Sequence, residues 1–158
     1  MLRARTLATW LIAATVAFLQ TCAPAVPVFA DGPRTSVVAV GETGARTSSP
    51  GDAGALREAL VREIGRLPSL RLAETNRARY VVRGSVTRLD RRTSGSEVQV
   101  RCEVSLIVSE ARGGSIRMML QGRAGARGED ADSLERAALE AAVRGALRPL
   151  STSLDALR

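Results

Sequence analysis

The stretch EVQVRCEVSLIV, Glu97–Val108, alternates with a period of two. Val98, Val100, Cys102, Val104, Leu106 and Val108 share one side, and Glu97, Gln99, Arg101, Glu103 and Ser105 share the other. Successive side chains of a strand point to opposite faces, so this segment predicts a half-buried strand with one core-facing surface. Cys102 is then expected to face inward as a small core hydrophobe rather than a redox or metal group. Downstream, EARGGS at Glu110–Ser115 supplies a tight turn. After it Ile116, Met118, Leu120, Gly122, Ala124 and Ala126 alternate with Arg117, Met119, Gln121, Arg123 and Gly125. Two such strands joined through Gly-Gly read as a hairpin. Upstream, Arg79–Leu89 carries Tyr80, Val82, Gly84 and Val86 on its apolar side and Arg83, Ser85 and Thr87 on its polar side.

Two helices and two shorter strands complete the pattern. TSVVAV at Thr35–Val40 is a β-branched run, followed by the Gly/Ser/Thr-rich stretch Gly41–Gly51, which reads as a loop. A helix is expected from Asp52, an N-cap residue, with Leu56, Leu60, Ile64 and Leu67 at helical spacing and Glu58 placed to pair with Arg62 one turn on. Pro68 stops it, Ser69–Ala73 is a short strand, and Thr75–Ala78 a turn. After Asp130 or Asp132 as cap, Ser133–Leu147 reads as a second helix whose Leu134, Ala137, Ala138, Ala141 and Gly145 allow close approach to a sheet, and Pro149 is expected to end it. The order is β-α-β-β-β-β-α. The fold class it implies is an α+β two-layer sandwich, with both helices on one face of a mostly antiparallel sheet and the other face open. On that open face strand parity gathers Arg83, Arg101, Arg117 and Arg123 beside Glu97, Gln99, Glu103, Ser105 and Gln121.

Residues 1–30 read as an export signal outside this fold. Arg3 and Arg5 precede a 13-residue apolar run, Leu7–Leu19, shorter than the roughly 20 apolar residues a spanning helix needs. Val28 and Ala30 give a small-x-small pattern that directs cleavage after Ala30; the alternative is lipidation at Cys22, although Gln20 and Thr21 fit a lipobox poorly. The expected division is therefore a signal peptide at 1–30, a short arm at 31–34, a single domain at 35–150 and a frayed tail at 151–158. Expected localisation is periplasmic or secreted, or the outer membrane if Cys22 carries lipid. Lipid on Cys22 is also the only membrane contact expected.

Composition removes many activities. The chain of 158 residues is 45% hydrophobic and 25% charged, and its 23 basic residues are all arginine. Without lysine or histidine, a P-loop of the usual kind, a Schiff-base lysine, a Ser-His-Asp triad, a Cys-His dyad and a His-bearing zinc site are excluded. Loss of residues 1–30 lowers the formal charge from +7 to +5 and leaves Tyr80 as the last aromatic residue. Base stacking thus has no platform, and nucleic acid is not an expected partner. Cys102 is then the sole ordinary thiol, so no internal disulfide supports the fold. Glu129, Asp130 and Asp132 form the one tight acidic group, and helix capping explains it. The glycines Gly41, Gly44 and Gly51 match no phosphate or dinucleotide fingerprint. No enzyme, cofactor or metal is expected.

The strand Ala78-Arg-Tyr-Val-Val-Arg-Gly-Ser-Val86, with the hairpin and final helix behind it, resembles a group of bacterial envelope domains. These are the lipoproteins that activate penicillin-binding proteins, the curli-secretion lipoprotein and the N-terminal domain of the Tol-Pal translocation protein. The lipopolysaccharide-assembly lipoprotein has a similar order of elements. The resemblance implies a non-enzymatic accessory or scaffold protein that binds an envelope protein or an anionic envelope polymer through the sheet face or edge. Lipopolysaccharide contact through Arg83, Arg101, Arg117 and Arg123 is the alternative, and a carboxylate hydrolase a remote third. The relatives insert a helix before the Ala-x-Tyr strand, for which Thr75–Arg77 leaves no room.

Overall fold

The computed structural model describes residues 35–45 and 51–156. The expected signal segment, the arm and Cys22 lie outside the described residues. The elements are β1 (Ser36–Ala45), α1 (Gly51–Gly65), β2 (Leu70–Leu72), β3 (Tyr80–Ser94), β4 (Glu97–Glu110), β5 (Ile116–Gly128) and α2 (Ala131–Ala156). They form the expected α+β order, in one five-stranded sheet arranged β2-β1-β3-β4-β5. The sheet is mixed: β1 runs parallel to both β2 and β3, while β3, β4 and β5 are antiparallel.

One apolar layer joins sheet and helices. Val82, Val100, Val104, Leu106 and Val108 from the sheet pack with Leu56, Leu60 and Ile64 of α1 and with Ala142, Val143, Leu147 and Leu150 of α2. Cys102 is buried among them, as its parity requires. Gly84 lies beneath α1: a Cβ there would come 2.8 Å from Leu106 and 3.3 Å from Leu56. Gly122 is tighter still, since a Cβ would stand 1.9 Å from the Ala142 carbonyl oxygen. The close approach of α2 is therefore provided by a glycine of the sheet.

Several expectations are corrected. Gly41–Ala45 is strand rather than loop, because β1 continues past an irregularity between Val40 and Thr43 to pair Thr43 with Gly84 and Ala45 with Val86. Carbonyls left at this irregularity are served from α1, where Arg57 Nη1 donates to the Gly41 oxygen at 3.0 Å. In α2 the residues Ala137, Ala141 and Gly145 face solvent, while Ala138, Leu139, Ala142, Val143, Ala146, Leu147 and Leu150 are buried. An alanine-rich helix offers two small-residue stripes, and the one carrying the larger side chains buries more apolar surface. That same drive carries α2 through Pro149: Leu150 is fully buried one residue on, and the carbonyl that Pro149 cannot serve belongs to the exposed Gly145. Glu58 does not take Arg62, which instead bonds Glu140 of α2.

A buried carboxylate also ties the helices. Glu63 of α1 is nearly enclosed and accepts from Arg144 Nε and Nη2 of α2, both at 3.0 Å, with Arg66 as a further donor. These guanidinium groups, Arg144 first, hold its carboxyl below the usual carboxylate range against the opposing effect of burial.

Candidate functional site

The sheet face opposite the helices is partly covered at one end. β2 ends and β3 begins level with Val38, on opposite sides of β1, so the connection Ala73–Arg79 crosses β1, and the packing of Ala78 on Ala39 and Val81 puts it on the face away from the helices. Arg79 N–H donates to the Val37 oxygen and Ala73 N–H to the Val38 oxygen, both at 3.0 Å. Ala78 thereby packs on Ala39 and Val81, a small second core joined by Ala111. The sequence reading left this face bare because a seven-residue crossover carries no apolar periodicity.

Beyond that cover the face is open, and register fixes what stands on it. Directly opposed residues share a face. Arg83 stands level with Ile107 and Met119, and Ser85 with Ser105 and Gln121. An extra residue at Thr87 then shifts β3, so that Arg88 meets Glu103 and Arg123, Asp90 meets Arg101 and Gly125, and Arg92 meets Gln99 and Arg127. Six arginines thus share this face with the acids Asp90, Glu97 and Glu103. Arg88 Nε reaches Asp90 at 2.6 Å and Arg123 Nε reaches Glu103 at 3.6 Å. Arg83, Arg92, Arg101 and Arg127 make no ion pair among the described residues.

Of the four arginines read from sequence, Arg83, Arg101 and Arg123 occupy this face; Arg117 does not join them. A second irregularity, between Val108 and Ser109, pairs Ile116 with Ser109 and makes Arg117 the extra residue. Ile116 is therefore 61% exposed instead of core-facing. Arg117 Nε donates to Glu110 at 3.1 Å at the covered end, an interaction that raises its pKa. Arg92 and Arg127 were missed because the strands were ended too early, and Arg88 because the extra residue at Thr87 reverses its facing. The alternation of Arg88, Asp90 and Arg92 around Leu89, matched against the length of β4, is the signal that identifies them.

A depression of about 440 Å³ holds Ser85, Thr87, Glu103, Ser105, Gln121 and Arg123, with Ile107 and Met119 on its border. Here Glu103 is engaged by Arg123, and no second acid faces it. The larger acidic group lies at the other layer, where Asp52, Asp132 and Glu135 rim a cavity of about 200 Å³ floored by Val86, Leu89, Cys102 and Leu139. Burial, then Asp52 and Glu103, push the Cys102 thiol up to about 11, so it is protonated at neutral pH. Asp130 caps α2: its Oδ1 accepts from the Asp132 N–H at 3.3 Å, and its pKa is lowered, first by the Ser133 hydroxyl. No cluster able to hold a metal ion occurs among the described residues. No described helix is long and apolar enough to cross a membrane.

No protein-family model matches the sequence, and no curated protein matches it. Solved structures do. The PelC dodecamer from Paraburkholderia phytofirmans is similar with a TM-score of 0.60 at 17% identity, over 73% of this chain and 89% of that one. Protein XCC0632 of Xanthomonas campestris, of the DUF330 family, gives 0.55 at 12% identity over 81% and 93%. A minor lipoprotein of Acinetobacter baumannii gives 0.52 at 18% over 75% and 92%. The coarser resemblance read from sequence, to small α+β domains of bacterial lipoproteins, agrees with these neighbours. At such identities what this chain shares with them is the fold.

Proposed function

We propose that this chain is a non-enzymatic binding module of the bacterial cell envelope, exported to the periplasm, whose open sheet face docks an anionic envelope component. The observation that carries the reading is the excess of six arginines over three acids on the face of β3, β4 and β5, four of them without an ion pair among the described residues. Guanidinium forks match phosphate and carboxylate oxygens, and Arg101 stands diagonal to Arg88, Arg92, Arg123 and Arg127, a spacing of about 7–8 Å that presents several to one polymer. The export-like sequence of residues 1–30 and the fold shared with a minor lipoprotein support an envelope location.

Lipid A, a glycolipid with two phosphates, is the test ligand. Wild-type protein is expected to be retained on immobilised lipid A and released by salt. Arg101→Glu with Arg127→Glu should weaken retention about a hundredfold, since each charge-assisted contact contributes about 1.5–3 kcal/mol. Unchanged retention contradicts the anionic reading.

A second reading rests on the β5 edge, which pairs with β4 alone and exposes Ile116 and Met119 (68%). PelC, which shares the fold, is a dodecamer, and an unpaired strand edge is a template for copies of the same chain. Sedimentation would show a single assembled species that Met119→Arg dissociates; a monomer at all concentrations removes this reading.

A further inference from the structure

A second cationic group lies at the opposite end of the sheet, outside the face just described. The crossover that covers β1 carries Asn76, Arg77 and Arg79, and the turn after β4 carries Arg112; together with Ala78 and Glu110 they line a depression of about 670 Å³. The backbone fixes their approach, because the Ala111 N–H donates to the Arg79 oxygen at 2.9 Å and the Glu110 N–H to the Ser115 oxygen at 2.9 Å. Glu110, the one carboxylate of this depression, is already occupied by Arg117. Glu74 lines a separate depression with Arg57 and Val61. Arg77, Arg79 and Arg112 make no ion pair among the described residues, although the Arg79 guanidinium stands 5.3 Å from the Tyr80 ring centre.

The position of this cluster selects its ligand. Val38 is level with Tyr80, and Tyr80 with Glu110, so the cluster stands at the end of the sheet where β1 begins with Ser36. The chain arrives at that end after residues 1–34, which contain the apolar run Leu7–Leu19 and Cys22. Any attachment of that segment to a bilayer tethers this end of the domain within reach of lipid head groups. Three guanidinium groups without carboxylate partners complement phosphodiester anions there, and arginine forks bind such oxygens in pairs.

We propose that Arg77, Arg79 and Arg112 form a contact surface for the phosphate groups of an anionic lipid bilayer, holding the domain by this end of the sheet with Arg92 and Arg127 at the remote end. This contact does not depend on which component the sheet face docks.

The test uses the full chain with vesicles of phosphatidylcholine alone and of phosphatidylcholine mixed with phosphatidylglycerol. The ratio of the two partition coefficients is read, which cancels the contribution of the apolar leader. Wild-type protein should favour the anionic vesicles. Arg77→Glu, Arg79→Glu and Arg112→Glu together should lower the ratio about a hundredfold, at about fivefold or more per arginine. The triple glutamine variant should lower it too, and serves if the reversal perturbs folding. Arg91→Glu with Arg136→Glu, on the helix layer toward the far end of the sheet and outside both arginine surfaces, should leave the ratio within about twofold of wild type by the short range of screened charge. An unchanged ratio in both triple variants overturns the proposal, as does an equal fall in the far-end variant. Release of wild-type protein by inorganic phosphate at matched ionic strength also overturns it, since that behaviour belongs to a small-anion pocket.

Discussion

Glu63 shows how a single buried charge can act as a tie rather than a reactive group. Its carboxylate is enclosed, yet the guanidinium groups of Arg144 and Arg66 reach it from the solvent side with most of their own surface still hydrated. Removal of the charge by Glu63→Gln is expected to cost about 1.5–3 kcal/mol in urea unfolding at neutral pH. Because the folded pKa lies below the ordinary value of 4.5, the stabilisation is complete above that value and is lost as pH falls through the lower folded one. The unfolding curves of wild type and Glu63→Gln should therefore converge in acid; a gap that persists at low pH would show that packing, not charge, is lost. Cys102 makes the complementary point, as a nucleophile that the core disarms. Its alkylation by maleimide should follow global unfolding, and rapid labelling of the native protein would contradict its burial.

At the scale of the element, two glycines with similar surroundings in sequence have opposite roles. Gly122 on β5 faces the Ala142 carbonyl, a backbone group that cannot turn aside, whereas a Cβ on Gly145 of α2 meets nothing within 4 Å. Gly122→Ala should destabilise by about 3 kcal/mol or more, and Gly145→Ala should stabilise by about 0.5–1 kcal/mol through helix propensity. Thermal unfolding distinguishes them, and equal effects would contradict the placement of α2. The sequence reading turned both toward the core, Gly122 on the apolar side of its strand and Gly145 on the sheet-facing side of its helix, and the structure keeps only the first. Period-two patterning made β4 legible, and with it the inward Cys102 and outward Arg101, because both faces of that strand differ sharply in polarity. Strand ends were not legible: Gly41–Ala45 and Asp90–Ser94 are polar or small, and they are held as strand by the ladders of their neighbours. The extra residues at Thr87 and Arg117 were equally hidden, since each changes facing without leaving a mark in composition. One of them brought Arg88 onto the sheet face and the other removed Arg117 from it.

The whole molecule separates its charges by layer and by end. Helices cover one side of the sheet, the crossover covers the near end of the other, and the remaining face carries unpaired arginines toward the β3–β4 turn. On the helix side Asp52, Asp132, Glu135 and Arg136 share one cavity and Arg91 pairs with Glu135, so that layer mixes both signs where the sheet face carries an excess of arginine. A ligand drawn by net positive charge alone would not distinguish the layers, whereas a docked anion must. Retention on lipid A should therefore be compared between two charge-matched variants, Arg101→Glu with Arg127→Glu on the sheet face and Arg136→Glu with Arg148→Glu on the helix layer. The first is expected to lose retention about a hundredfold and the second to stay within about threefold of wild type; equal loss in the two, or none in the first, would contradict a binding surface on the open sheet.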